Sequence, residues 1–305
     1  MTDPVHADDT AQPLRTLDYQ APRGYAYDLE VLRFAKLRQL KPASWFHTVE
    51  RLGLYLLILV DTGSCTHMAE CQFLELAPGS LVCLRPGQVQ RYDVSTPWDG
   101  WLLLMRPEVL DPLAAQQGPL RMSTAAILDE MPMCSTVSPA VKDALLALMA
   151  QMARDASADA DPPWTGRLLK LQVQTLCARL AGHQATQVEV PRAEAPADRG
   201  RVARFKSLLE RDFTHAHHVG HYAQLLGVAE RSLSRSTQRV LGQTAKEVIT
   251  ARVLLEAKRL LVYTSDPVAQ IGYSLGFDEA TNFAKFFRRE TGQGLQAFRR
   301  SVLDR

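Results

Sequence analysis

The stretch Val268-Ala269-Gln270-Ile271-Gly272-Tyr273-Ser274-Leu275-Gly276-Phe277-Asp278-Glu279-Ala280-Thr281-Asn282-Phe283-Ala284-Lys285-Phe286-Phe287-Arg288-Arg289-Glu290 reads as a short helix, a glycine-centred turn and a second helix. Ile271 and Leu275 share an apolar face, Gly276-Phe277 turns the chain, and Phe283 and Phe287 anchor a helix carrying Thr281, Asn282, Lys285, Arg288 and Arg289. Val219–Leu241 repeats the device: Tyr222, Ala223 and Leu226, then Gly227-Val228, then a helix anchored by Leu233 and carrying Arg231, Ser234, Arg235 and Arg239. Two such units at a fixed separation form a geometry for gripping DNA.

Local stop and start signals agree with this reading. Each turn glycine can take the left-handed backbone that ends a helix at little cost. Asp266 before Pro267 predicts a capped helix opening, and Asp278 predicts the cap of the second recognition helix. The equivalent position of the first unit is Ala229, which has no side-chain acceptor. Between the units, Thr244 and Glu247 stand at capping-box spacing ahead of a helix expected to run to Tyr263. A helix of about 18–20 residues is about 27–30 Å long, close to the ~34 Å between major-groove faces on successive turns of B-DNA. One rigid connector therefore presents both units to the same side of a duplex.

The run from Arg231 to Arg300 resembles the double helix-turn-helix domain of AraC/XylS-type transcription regulators, notably at Leu254–Leu261, Ile271–Phe277 and Phe283–Gly292. The chain departs from that pattern at Ala229, Thr237 and Leu295, where the family usually has Ser or Thr, an aromatic residue and proline. The resemblance implies base-edge contacts from Arg231, Ser234, Arg235, Thr281 and Lys285, with Arg239, Asn282 and Arg288 on the same DNA-facing surfaces. It also implies promoter binding, activation through RNA polymerase contact, a homodimer and a response to a small-molecule effector.

Charge is divided in the same way. Residues 199–305 hold 18 basic and 10 acidic side chains, a net +8, whereas residues 1–198 hold 17 and 23, a net −6. A basic domain beside an acidic one fits phosphate contact at one end only. The 305 residues, 46% hydrophobic, suffice for about two domains. The expected organisation is a mobile tail over 1–20, a sensor domain over 21–135, a helical dimerisation segment over 136–183, a linker over 184–200 and the DNA-binding domain over 201–305.

Short apolar runs at Leu54–Val60, Leu81–Leu84 and Trp101–Met105, punctuated by Asp61-Thr62-Gly63, Pro78-Gly79, Pro86-Gly87 and Pro97, predict a compact antiparallel β-domain. Leu76–Tyr92 resembles part of the cupin-like barrel that senses small molecules in AraC-like proteins. The expected fold is thus α+β multidomain: a cupin-like β-barrel with a helical hairpin, then an all-α double helix-turn-helix domain. The paired histidines and carboxylate of a catalytic cupin metal site are missing; His47 and His67 are isolated and Gln90 stands where many such sensors have histidine. No enzyme activity, metal or cofactor is expected. The pocket candidates are Trp45, Arg85, Arg91, Tyr92, Trp98 and Trp101.

Val141, Leu145, Leu148 and Met152, and again Leu169, Val173, Leu176 and Leu180, give two helices each with one apolar stripe, predicted to form a dimer interface or to pack on their own barrel. The crowded His215, His217, His218 and His221 lack a cysteine or carboxylate at a familiar zinc spacing. Five unevenly spaced cysteines form no disulfide framework, and no apolar run approaches the roughly 20 residues that span a bilayer. With no signal-peptide pattern at the start, a cytoplasmic location is expected. Two alternatives remain: a cupin-like enzyme with an appended DNA-binding domain, and a regulator controlled by concentration with a ligand-blind barrel.

Overall fold

A computed structural model describes residues 15–19, 27–110, 124–157, 162–187 and 196–303. The chain divides into two compact units, one spanning Arg15–Val190 and the other containing Pro191–Arg305. The tail expected over 1–20 lies outside the described residues except for its end, where Arg15–Leu17 forms strand β1 and Tyr19 is buried.

The first unit continues with β2 (Leu29–Arg33), α1 (Phe34–Leu40), α2 (Ala43–Phe46), β3 (Glu50–Leu52), β4 (Tyr55–Thr62) and β5 (Cys65–Ala69). It goes on through β6 (Gln72–Leu76), β7 (Ser80–Leu84), β8 (Val89–Arg91), β9 (Asp99–Met105), α3 (Thr124–Glu130) and β10 (Cys134–Thr136). These strands make two five-stranded sheets, in the orders β1-β3-β8-β5-β6 and β10-β7-β4-β9-β2. Among the described residues only β1 with β3 is a parallel pair.

Alternation along β4 explains the layering. Leu56, Ile58 and Val60 join Val82, Leu84 and Leu102 in a core shared with Leu52, Cys65, Leu76 and Tyr92 of the opposite sheet region. Tyr55, Leu57 and Leu59 point the other way, into a second core with Leu103, Met105 and three helices. A strand buried on both faces reads as an unbroken apolar run, which is why Leu54–Val60 lacks polar alternation. The outer helices are α3, α4 (Pro139–Ser157) and α5 (Pro162–Gln187). Leu145, Met152, Leu169, Val173, Leu176 and Leu180 are all buried in that second core, with Val141 and Leu148 packed against it. Both stripes are therefore consumed by their own domain and are not a free dimer face.

The linker expected over 184–200 is shorter than its composition suggests. Gln184–Gln187 finishes α5, and Pro196 opens α6 (Pro196–Asp212); residues 188–195 lie outside the described residues. The second unit continues with α7 (Val219–Leu226), α8 (Glu230–Leu241), α9 (Ala245–Tyr263), α10 (Val268–Ser274), α11 (Ala280–Thr291) and α12 (Leu295–Leu303). One core runs through it, from Phe205 and Leu209 through Tyr222, Leu233, Ile249, Val253 and Leu261 to Ile271, Phe283 and Phe287.

The cap assignments are partly corrected. Thr244 accepts from the Glu247 N–H while the Glu247 carboxylate accepts from the Thr244 N–H, completing the expected capping box at the start of α9. Ala229 caps α8 without a side-chain bond, as its methyl requires. Pro267, not Asp266, is the cap residue of α10, and Glu279, not Asp278, precedes α11; neither helix gains a side-chain cap bond. The extended backbone of Glu279, at φ −135° and ψ 140°, delays the helix by one residue, so Asp278 stands too early to cap it. Among the described residues no helix is long and apolar enough to cross a membrane.

Candidate nucleic-acid interface and barrel interior

Burial within α8 and α11 sorts their side chains by face. Leu233, Ser236 and Thr237 are buried in α8, leaving Arg231, Arg235 and Arg239 exposed and Ser234 half-buried. In α11, Phe283 and Phe287 are buried, whereas Thr281, Asn282, Lys285, Arg288 and Arg289 are exposed. The two sets repeat at three- and four-residue spacing, so each helix presents one continuous polar and basic surface. Among the described residues Arg231, Arg235, Lys285 and Arg288 make no ion pair; Thr281 donates to the Glu279 carboxylate at 2.9 Å.

Each helix is held by a tight turn. Gly227 at φ 65° ends α7 and Gly276 at φ 81° follows α10. A Cβ on Gly276 would lie 2.3 Å from the Thr214 carbonyl oxygen, so both conformation and space require glycine there. Helix α10 also lies close on α11: a Cβ on Gly272 would stand 3.1 Å from that of Phe283. Arg299 donates to the Leu261 and Asp266 carbonyls at 2.6 and 3.0 Å, fixing α12 across the end of α9.

One residue of this surface was missed by sequence reasoning. Asp198, in the stretch read as linker, is only 6% exposed. It accepts from Ser236 at 2.7 Å, Arg201 at 3.0 Å and Arg239 at 3.1 Å, tying the first turn of α6 to the inner flank of α8. The Ser236 and Arg239 hydrogen bonds hold its carboxyl below the usual carboxylate range. Pro196 at a helix start with an acid in the first turn was the available signal. Arg239, expected to face DNA alone, is therefore shared with Asp198, although its side chain remains 58% exposed.

The histidine cluster divides into separate roles. His221 pairs with Asp212 at 2.9 Å, and His217 packs on Phe277 with ring centroids 5.0 Å apart. Among the described residues no group of three or more His, Cys, Asp or Glu is placed to hold a metal ion.

In the barrel the expected pocket residues scatter. Trp101 and Arg85 belong to the helix-facing side of their sheet: Trp101 carries the Arg33 guanidinium at 5.5 Å, and Arg85 donates to the Leu128, Asp129 and Met131 carbonyls around α3. Arg91 pairs in register with Met68, on the face opposite the buried Gln90 and Ala69. Trp98 is stacked on Phe34 at 3.9 Å and donates to the Asp93 carbonyl, so it serves the core. Trp45 and Tyr92 stay together, with their rings stacked 5.8 Å apart, and Phe34 links Tyr92 to Trp98 in the same core.

The residues gathered around them were not foreseen. His67 meets the Tyr92 ring edge-on at 5.6 Å, and the Gln90 amide donates to Glu50 at 3.4 Å. His67, Gln90 and Glu50 are at most 1% exposed. They come from three adjacent strands, β5, β8 and β3, and only the pairing of Glu50 with Gln90 and of Ala69 with Gln90 brings them together. Burial draws the His67 imidazole down to about 4, partly offset by Asp93. The buried thiols of Cys65, Cys83 and Cys177 are pushed up to about 12, 11 and 12 by desolvation, which leaves them protonated and poorly nucleophilic at neutral pH.

The first unit is a pair of five-stranded sheets backed by helices, and the second carries two helix-turn-helix units on one connector helix. A family model described as an AraC-like ligand binding domain matches residues 41–163, and one described as a helix-turn-helix domain matches residues 222–301. The chain is thus similar to an AraC-like ligand binding domain in its first unit and to a helix-turn-helix domain in its second.

Among curated proteins it is similar to the HTH-type transcriptional activator RhaS of Yersinia pestis and of Yersinia pseudotuberculosis, at 28% identity over 94 residues in each case. That match covers 31% of this chain and spans about a third, 34%, of the relatives' length. Among solved structures, ToxT from Vibrio cholerae with an unsaturated fatty acid bound is 12% identical, covering 80% of this chain and 86% of that one, with a TM-score of 0.41. An AraC-type DNA-binding regulator from Chromobacterium violaceum is 23% identical, covering 35% and 96%, with a TM-score of 0.32.

Proposed function

We propose that this protein is a sequence-specific, DNA-binding transcription regulator, an activator whose barrel senses a small molecule, and not an enzyme. The observation that carries the reading is the pair of outward basic faces on α8 and α11, built on one hydrophobic core with α9 between them. At about 1.5 Å per residue the 19 residues of α9 extend about 28 Å, against ~34 Å between major-groove faces on successive turns, a gap within reach of the side chains that α8 and α11 project. Arg231, Ser234, Arg235, Thr281, Asn282 and Lys285 read base edges in this account, and Arg239 and Arg288 contact phosphate.

Selection of bound fragments from genomic DNA by the full-length protein, followed by affinity measurement at two salt concentrations, tests this. A recovered consensus, with affinity reduced by about 1–3 kcal/mol in Arg235→Ala and the preference relaxed at one position, is expected. Steeply salt-dependent binding without sequence preference would overturn it.

A homodimer is part of the proposal, but through a different surface from the stripes buried under the barrel. Trp164, Leu168 and Leu171 are 68%, 43% and 52% exposed and fall at four- and three-residue spacing on the outer face of α5. A second copy of the chain is their proposed partner, which would put two double-reading heads on repeated half-sites. Contact with RNA polymerase and a cytoplasmic location follow from the same family reading.

A further inference from the structure

The two helix-turn-helix units touch each other away from α9, through the segment that joins α6 to α7. The Thr214 carbonyl approaches Gly276 so closely that a Cβ there would stand 2.3 Å from its oxygen. Further along, the His217 ring lies on Phe277 with centroids 5.0 Å apart. Phe277 in turn packs on Phe283 and Phe286 of α11, at 5.3 and 5.2 Å. The segment is anchored on its own side: the buried Tyr222 hydroxyl of α7 donates to the Ala216 carbonyl at 2.8 Å, and His221 meets the Asp212 carboxylate at 2.9 Å. It forms a bracket fixed to the first unit and bearing on the turn of the second.

His217 gives this contact a chemistry that a phenylalanine or leucine would not. Its Nε2 is buried without a hydrogen-bond partner among the described residues. A neutral imidazole packs on Phe277 as a flat ring, whereas an imidazolium needs an acceptor or water at both nitrogens. Burial holds the His217 imidazole below the ordinary histidine range; the Leu275 and Phe213 carbonyls act against that shift, and His218 and His215 reinforce it. The charged groups facing it are thus His218 and His215 of its own segment, while α6 and the α10–α11 turn present carbonyls and the Phe277 ring. The nearby Asp212 carboxylate is occupied by Arg211 and His221. A folded-state value below the ordinary one of about 6.5 means that protonation opposes the packed junction, whose stability is kept above that pH and lost as pH falls below it.

We propose that His217 is a positioning residue: neutral, it holds the α10–α11 turn against the segment ahead of α7 and so fixes the spacing of the DNA contacts made by α8 and α11, and protonation releases that hold. This rests on the reading of α8 and α11 as joint readers of one duplex.

The test is competition binding of the full-length protein, at constant salt, to its selected site and to the same site with one base pair inserted between the contacted segments, from about pH 7.5 to about pH 5. One inserted pair moves the second segment by about 3.4 Å and about a tenth of a turn, so the ratio of the two affinities reports the spacing of the reading helices. General attraction to phosphate, which rises as the other histidines charge, cancels in that ratio. Wild type is expected to favour the uninserted site by at least about tenfold near pH 7.5 and to lose most of that preference near pH 5. His217→Leu, which carries no titratable group there, is expected to keep the preference throughout. His217→Gln, uncharged and polar, gives the same flat profile and decides the matter should the leucine variant fail to fold; a thermal melt at each pH establishes the folded state. A wild-type ratio that does not move with pH, or one that falls equally in the His217 variants, would overturn the proposal. No preference for the selected site over unrelated DNA at any pH would instead refute the reading of α8 and α11 on which the proposal stands.

Discussion

Single residues fix the turns on which the proposed DNA-reading surfaces depend, and two glycines separate conformation from space. Gly227 has left-handed backbone with no atom within 4 Å of a built Cβ, whereas Gly276 adds a 2.3 Å approach to the Thr214 carbonyl. Gly227→Ala is expected to cost about 1–2 kcal/mol of stability, and Gly276→Ala about 2–4 kcal/mol because a clash is added. Equal urea midpoint shifts for the two would contradict the packing of α10 against the Thr214 segment. At the start of α8, Ala229→Ser supplies the missing acceptor and is expected to stabilise by about 1 kcal/mol; an unchanged or lower melting temperature would contradict that helix start.

His67 makes a pH prediction at the same scale. Its folded pKa is lowered by burial to about 4, against about 6.5 for an unfolded histidine. Between those values the unfolded chain binds a proton the folded chain refuses, so stability falls as pH falls through that window. Asp93 and, through Gln90, Glu50 are the charged groups beside it. His67→Leu is expected to flatten the stability curve between about pH 6.5 and 4. An acid limb as steep as that of wild type would show that His67 protonates freely in the folded protein.

At the scale of elements, the helical end was legible because its signals are local. The capping box at Thr244 and Glu247, the glycines at 227 and 276 and the aromatic anchors Phe283 and Phe287 lie within a few residues of the structure they specify. The barrel interior was not legible, because His67, Gln90 and Glu50 are separated by up to 40 positions and meet only through strand register. Trp101 and Arg85 lie on the helix-facing side for the same reason: their sheet is buried on both faces, and nothing local says which face looks into the barrel.

Asp198 shows the remaining gap, a linker-like composition that conceals a helix start. Its bonds to Ser236 and Arg239 make α6 a brace for α8. Asp198→Asn should release Arg239 toward phosphate and loosen α8, so that non-specific affinity rises while the specific-to-non-specific ratio falls. A ratio unchanged in competition binding would mean that α8 needs no brace. For α5, sedimentation velocity of Leu168→Glu/Leu171→Glu is expected to give monomer where wild type gives dimer; a persistent dimer would place the interface elsewhere.

For the whole molecule, the uneven charge of the sequence matches a division of labour between two units with separate cores. The barrel core absorbs the helical stripes and keeps a few polar atoms at its centre, while the C-terminal core turns two cationic faces outward, joined by the 19-residue α9. The most direct measurement is a hydroxyl-radical footprint of the full-length protein on its selected DNA, alongside Arg235→Ala and Lys285→Ala. Two protected segments about one helical turn apart, about 10 base pairs, with each variant losing its own segment, are the predicted result. A single protected segment, or one lost equally in both variants, would contradict the claim that α8 and α11 read adjacent major grooves together.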